Sequence, residues 1–96
     1  MKKDNYTYPS IFTFANDGIS IGFPDISEAI SCAKDTKEAI KCAEEVLGLC
    51  LVGREIDKEE IPQPTHIKEI VLESNQKMML IEVYMPLCRD SVETIG

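Results

Sequence analysis

The sequence predicts an α+β domain of order β-β-β-α-β, a mostly antiparallel sheet covered on one face by one long helix. Three stretches carry that expectation. Asn16 to Ile26 supplies a turn, a strand and a rigid exit; an apolar stripe between Ala39 and Leu51 has helical spacing; and Met78-Met79-Leu80-Ile81 forms a late apolar run closed by Pro86.

The first strand is expected over Tyr8–Phe14, where Tyr8, Ser10, Phe12 and Phe14 share one face in period two. Pro9 suits the start of a strand or an edge, because it has no N–H to donate. In the turn Asn16-Asp17-Gly18, Gly18 can take the positive φ that hairpins require. The second strand, Ile19–Phe23, places Ile19, Ile21 and Phe23 on one face and Ser20 and Gly22 on the other. Pro24 stops its ladder, and Asp25 is left on the exit loop to accept bonds from backbone amides. Ala29–Ala33 alternates again and reads as a short third strand.

The helix begins at Asp35 or Thr36, either of which can cap the first free amides. Ala39, Ile40, Ala43, Val46, Leu47, Cys50 and Leu51 recur at a spacing of three to four, with Lys37, Glu38, Lys41, Glu44 and Glu45 on the other face. Gly53 is expected to end it. An acid-rich run, Glu55 to Glu60, and the stiff connector Ile61-Pro62-Gln63-Pro64 follow, then a short helical turn within His66–Leu72. The last strand, Lys77–Met85, is expected in a central position, buried on both faces and parallel to a hairpin strand through a crossover connection. Leu87–Gly96 shows no periodicity.

With 96 residues the chain supports one core. Ten Lys+Arg against 17 Asp+Glu give a net charge of −7, a surface that repels phosphate backbones and suits a basic partner. There is no apolar run of about 18 residues to span a membrane, and Met-Lys-Lys-Asp is followed by no apolar signal segment. The expected location is cytoplasmic, with Cys32, Cys42, Cys50 and Cys88 reduced and serving as small buried apolar residues.

Little in the chain could carry chemistry, and no enzyme activity, cofactor or metal is expected. Asp17 and Asp25 flank one strand at opposite ends, roughly 20 Å apart at strand rise, too far to share a metal ion. His66 sits in a proline-flanked loop without an adjacent partner. No cysteine pair has metal-ligand spacing, and no glycine-rich phosphate loop is present.

Tyr8-Pro9-Ser10-Ile11-Phe12 followed by Asp17-Gly18-Ile19-Ser20-Ile21-Gly22-Phe23-Pro24-Asp25-Ile26 resembles the opening of HicB-type antitoxins. Asp35-Thr36-Lys37-Glu38-Ala39, Ile61-Pro62-Gln63-Pro64-Thr65 and Leu80-Ile81-Glu82-Val83 continue the likeness in the same order, which covers Tyr8 to Val92. One departure is Ser27-Glu28-Ala29-Ile30, where the family often has Gly-Cys. The resemblance implies a partial RNase H-like fold over residues 1–92 without a catalytic centre. It also implies a role: binding and inhibiting a HicA-type toxin, a small basic mRNA-cleaving protein.

Many similar proteins continue into a ribbon-helix-helix or helix-turn-helix unit, and Arg89–Glu93 resembles the linker into one. Residues 93–96 are thus expected to start such a linker, and this segment alone to bind no operator DNA. A homo-oligomer is expected. The candidate toxin-binding residues are Phe23, Pro24, Asp25 and Ile26, an apolar anchor, with the acids Glu55, Asp57, Glu59 and Glu60 around it. The competing reading is a stand-alone regulatory module of the same fold that binds a protein or ligand and has no toxin. A neighbouring gene for a small basic protein separates the two.

Overall fold

The computed structural model describes residues 3–95, with side chains through Asp90. In chain order the elements are β1 (Asn5–Ala15), β2 (Gly18–Gly22), β3 (Ser31–Ala33), α1 (Thr36–Ile56), a 3-10 turn at Ile67–Glu69, β4 (Gln76–Tyr84) and α2 (Met85–Ile95). The strands form one sheet in the order β3-β2-β1-β4, and all three pairings are antiparallel.

The β1–β2 hairpin forms as its alternation predicts, with Phe12 opposite Ile21 and Phe14 opposite Ile19. Gly18 has φ +144°, and a Cβ there would lie 2.8 Å from the Ala33 carbonyl oxygen, so only glycine fits without strain. Pro9 lies within β1, a central strand, and ladder parity explains why it is tolerated. Phe14 N–H donates to Asn75 O, and Met85 N–H donates to Asp4 O. Even-numbered residues of β1 therefore face β4, and odd-numbered ones face β2. Pro9 points its missing donor toward β2, which has already ended at Gly22. No ladder bond is lost. Buried Ser10 donates its hydroxyl proton to Gly22 O at 3.0 Å.

Helix α1 starts as expected. Asp35 caps it, accepting from Glu38 N–H at 2.8 Å. Ala39, Ala43, Leu47 and Leu51, one turn apart, are fully buried against Phe12, Ile19, Ile21 and Phe23 of the sheet. Each large side chain buried there contributes about 1.5–3 kcal/mol.

Gly53 does not end the helix, which runs three residues further to Ile56. The stop is a Schellman arrangement: Lys58 N–H donates to Glu55 O and Glu59 N–H to Arg54 O, with Lys58 held at φ 59°. A glycine inside a helix costs about 1 kcal/mol relative to alanine; the burial of Leu51 and Val52, just before it, offsets that cost.

Three other expectations are corrected. β4 is an edge strand, paired only with β1 and antiparallel to it. The helix descends from the end of β3, and a direct return would have given a parallel strand. Instead residues 57–75 climb back, so that β4 starts opposite Thr13 at the far end of β1. Only Ile81 and Val83 of β4 are buried; Leu80 and Tyr84, on the opposite face, are half exposed.

Residues 85–95, expected to be irregular, form α2, which packs against α1 where Gly48 leaves room for Cys88. Pro86 falls in the first turn of α2, where no helical partner awaits its missing N–H. Finally, Cys32 is exposed, because it pairs with Ser20 on the outward face of the sheet; the other three cysteines are half-buried.

Candidate partner-binding surface

Two segments that are distant in sequence meet at one rim of the sheet. The first is the exit from β2. Phe23 and Ile26 are buried in the core, Pro24 is exposed, and half-buried Asp25 turns inward. Asp25 accepts from Thr65 N–H at 2.9 Å and from the Thr65 hydroxyl. The second segment is the strap after α1, residues 57–65. Tyr8, fully buried, donates its hydroxyl proton to Pro62 O.

Arg54, in the last turn of α1, ties the two together. Its Nε and Nη2 donate to Glu28 Oε2 and Oε1, each at 2.8 Å, and its Nη1 donates to Glu60 O at 3.0 Å. Around this joint Asp57, Glu59 and Glu60 are exposed.

Glu55 belongs elsewhere. Its carboxylate faces α2 and takes a bidentate pair from Arg89, Nε to Oε1 at 2.9 Å and Nη2 to Oε2 at 2.8 Å. The same guanidinium reaches Lys3 O at 2.9 Å and lies 3.6 Å from Asp4. The structure thus gathers Pro24, Asp25, Asp57, Glu59 and Glu60 at the rim. Phe23 and Ile26 support it from beneath, and Glu55 fastens α2 and the N-terminal segment.

The ionisation states follow from these contacts. Hydrogen bonding to Arg54 holds the Glu28 carboxyl down at about 2, and the same bond raises Arg54. Burial pushes the Tyr8 phenol up to about 12, with the charges of Tyr6 and Asp25 adding to the effect. Burial likewise pushes the Cys50 and Cys88 thiols up, away from the reactive thiolate.

No catalytic constellation accompanies this rim. Asp17 and Asp25 lie beyond opposite ends of β2, and among the described residues no cluster of three or more His, Cys, Asp or Glu could hold a metal ion. His66 is exposed and caps the 3-10 turn, accepting from Lys68 N–H. An open cleft of about 390 Å³ lies beside the β1–β2 turn; of its charged residues, Asp35 is occupied in capping α1. Among the described residues no helix is long and apolar enough to cross a membrane. Arg54, Glu28, Tyr8 and Thr65, which organise the rim, were not legible as site residues. Their partners lie 26 to 54 residues away in sequence, and no local pattern marks them.

No family model and no curated protein matches the chain. Solved structures do. A toxin–antitoxin complex from Streptococcus pneumoniae contains a chain with a TM-score of 0.78 and 19% identity, covering 86% of this chain and 71% of that one. A chain of the HicA3 and HicB3 toxin–antitoxin complex matches at a TM-score of 0.67 and 17% identity, covering 81% of this chain and 98% of that one. The fold is that of a HicB-type antitoxin. The HicB-like sheet and helix are thus the scaffold that presents the acidic rim.

Proposed function

We propose that this chain is an antitoxin domain that binds and inhibits a small basic HicA-type mRNA interferase, with no catalysis of its own. The observation that carries the reading is the likeness to two solved toxin–antitoxin complexes over more than four fifths of the chain. The acidic rim supports it physically. A protein that cleaves RNA presents cationic side chains, and exposed carboxylates both steer it in and compete with phosphate for those side chains. The proposed contact surface comprises Pro24, Asp25, Asp57, Glu59 and Glu60, with Phe23 and Ile26 fixing its shape, while Glu55 is taken up by Arg89 away from it. A DNA-binding unit reached through residues 93–96 belongs to the same proposal, as does the cytoplasm as its place of action.

The test is association kinetics with a small basic protein whose gene adjoins the one for this chain. Reversing charge at Glu59 and Glu60, both exposed, should slow association several-fold at low salt and change little at high salt. Asp35→Ala, at the other end of α1, serves as a control that weakens the helix without touching the rim. If reversal leaves the low-salt on-rate unchanged, the rim is not the contact surface. Failure of the chain to capture or inhibit that protein at all refutes the antitoxin reading itself.

A further inference from the structure

We infer that the apolar centre of the contact with the basic partner is the outer face of α1 at Leu49, Gly53 and Ile56, where Gly53 forms a notch that one bulky apolar side chain of that partner fills. This rests on the antitoxin reading and adds to the rim an anchor that acids alone do not supply. Phe23 and Ile26, expected in that role, are 5% and 0% exposed, too deep for a partner to touch.

Leu49, Gly53 and Ile56 are four and three residues apart, which lines them up along α1 over ~10 Å. They face away from both packed sides of the helix. Leu47 and Leu51 enter the core, while Gly48 and Glu55 meet α2 at Cys88 and Arg89. Leu49 is 58% exposed and Ile56 65%, so two aliphatic side chains stand in water with a glycine between them.

The fold itself has no use for that glycine. Gly18 needs its positive φ and Gly48 makes room for Cys88, but Gly53 does neither. A Cβ built on Gly53 meets nothing within 4 Å among the described residues, so alanine would fit and would favour the helix. A missing Cβ on an exposed helix face admits close approach by a group from outside. A lone exposed leucine needs no explanation; a leucine and an isoleucine framing a dispensable glycine form a socket for an apolar group.

Charge selects the occupant. From residue 41 to residue 60 the exposed acids are Glu44, Glu45, Asp57, Glu59 and Glu60, against the exposed bases Lys41 and Lys58. A second copy brings the same excess of acid and is repelled, whereas a cationic protein is drawn in. The stripe also runs into the rim, because Asp57 N–H donates to Gly53 O at 3.0 Å. An apolar socket with an acidic surround divides the kinetics: the socket governs dissociation, and the acids govern association.

The test measures binding of the small basic protein from the adjoining gene, with urea denaturation of each variant alongside. Gly53→Gln should raise the urea midpoint, since glutamine is the better helix former and meets open space. The same variant should dissociate about tenfold faster or more, because the notch is filled. Leu49→Ala and Ile56→Ala should each speed dissociation several-fold and leave the association rate and its salt dependence unchanged.

A variant that is more stable yet binds worse cannot owe its defect to misfolding. Unchanged dissociation in Gly53→Gln, or in both alanine variants, overturns the inference, as does a lowered urea midpoint for Gly53→Gln. If charge reversal at Glu59 and Glu60 still slows association in that case, the antitoxin reading stands without this socket. A wild type that captures no such protein overturns both. A wild-type oligomer that Gly53→Gln dissociates in sedimentation equilibrium would assign the socket to a second copy and likewise overturn the inference.

Discussion

Tyr8→Phe probes the joint between the sheet and the strap that carries Glu59 and Glu60. The Tyr8 ring is fully buried, and its hydroxyl donates to Pro62 O across 54 positions of sequence. Phenylalanine keeps the ring and deletes the donor, leaving the Pro62 carbonyl to find another. The expected loss at neutral pH is about 1–2 kcal/mol, or a fall in Tm of about 5–15 °C for a domain of this size.

The pH dependence separates this bond from general packing. Burial raises the folded-state pKa of Tyr8 from 10.0 to about 12. A group whose pKa rises on folding contributes stability that is complete below the unfolded value and is lost as pH climbs through the folded one. For Tyr8 that window runs from about pH 10 to about pH 12, with about 1.4 kcal/mol gone by pH 11. Phenylalanine has nothing to ionise. The gap in urea midpoints between wild type and variant should therefore be full at about pH 8 and shrink by about pH 11. Comparing the two proteins at each pH cancels the titration of the lysines. Equal midpoints at neutral pH would refute the bond, and a gap that stays constant up to pH 12 would refute the assignment of the raised phenol.

Lys58→Gly should stabilise the domain by about 0.5–1 kcal/mol, because Lys58 occupies φ 59° at the helix stop where glycine carries no Cβ penalty; urea denaturation reads the sign. Gly18→Ala should destabilise by at least about 2 kcal/mol in the same assay, since the backbone there has φ +144° and the new methyl meets the Ala33 carbonyl oxygen. Glu28→Gln should flatten the acid limb of the stability profile. The Glu28 carboxyl is lowered on folding from 4.5 to about 2 by Arg54, so its contribution is complete above about pH 4.5 and lost as pH falls toward 2. Because that side chain is 44% exposed, the expected difference is under about 1 kcal/mol, measurable as a change in midpoint between pH 5 and about pH 2.

Sequence alone determined the elements whose causes are local. Gly18 marked the turn because a positive φ is a single-residue demand, and Asp35 marked the start of α1 because a cap acts within three residues. Ala39, Ala43, Leu47 and Leu51 announced the helix through a spacing that survives any packing arrangement, and Ile19, Ile21 and Phe23 announced the buried face of the hairpin. The motif order from Tyr8 to Val92 carried the likeness to HicB-type antitoxins, which the structural neighbours then matched as a fold.

Tertiary structure decided what depends on where the chain goes after α1. Residues 57–75 are long enough to bring β4 in from either end of the sheet, so direction and edge position were free until the strap was pinned at Tyr8, Asp25 and Arg54. Helix α2 is only 11 residues long and its apolar positions Met85, Cys88, Val92 and Ile95 follow a proline that reads as the end of β4, so local pattern alone left it unassigned; it is held by Arg89 on Glu55 and by the space beside Gly48. The same long-range pairing divided the acid run, turning Glu55 inward to a cation and leaving Asp57, Glu59 and Glu60 in water. Local spacing cannot foresee such a division, because it is set by a guanidinium 34 residues away.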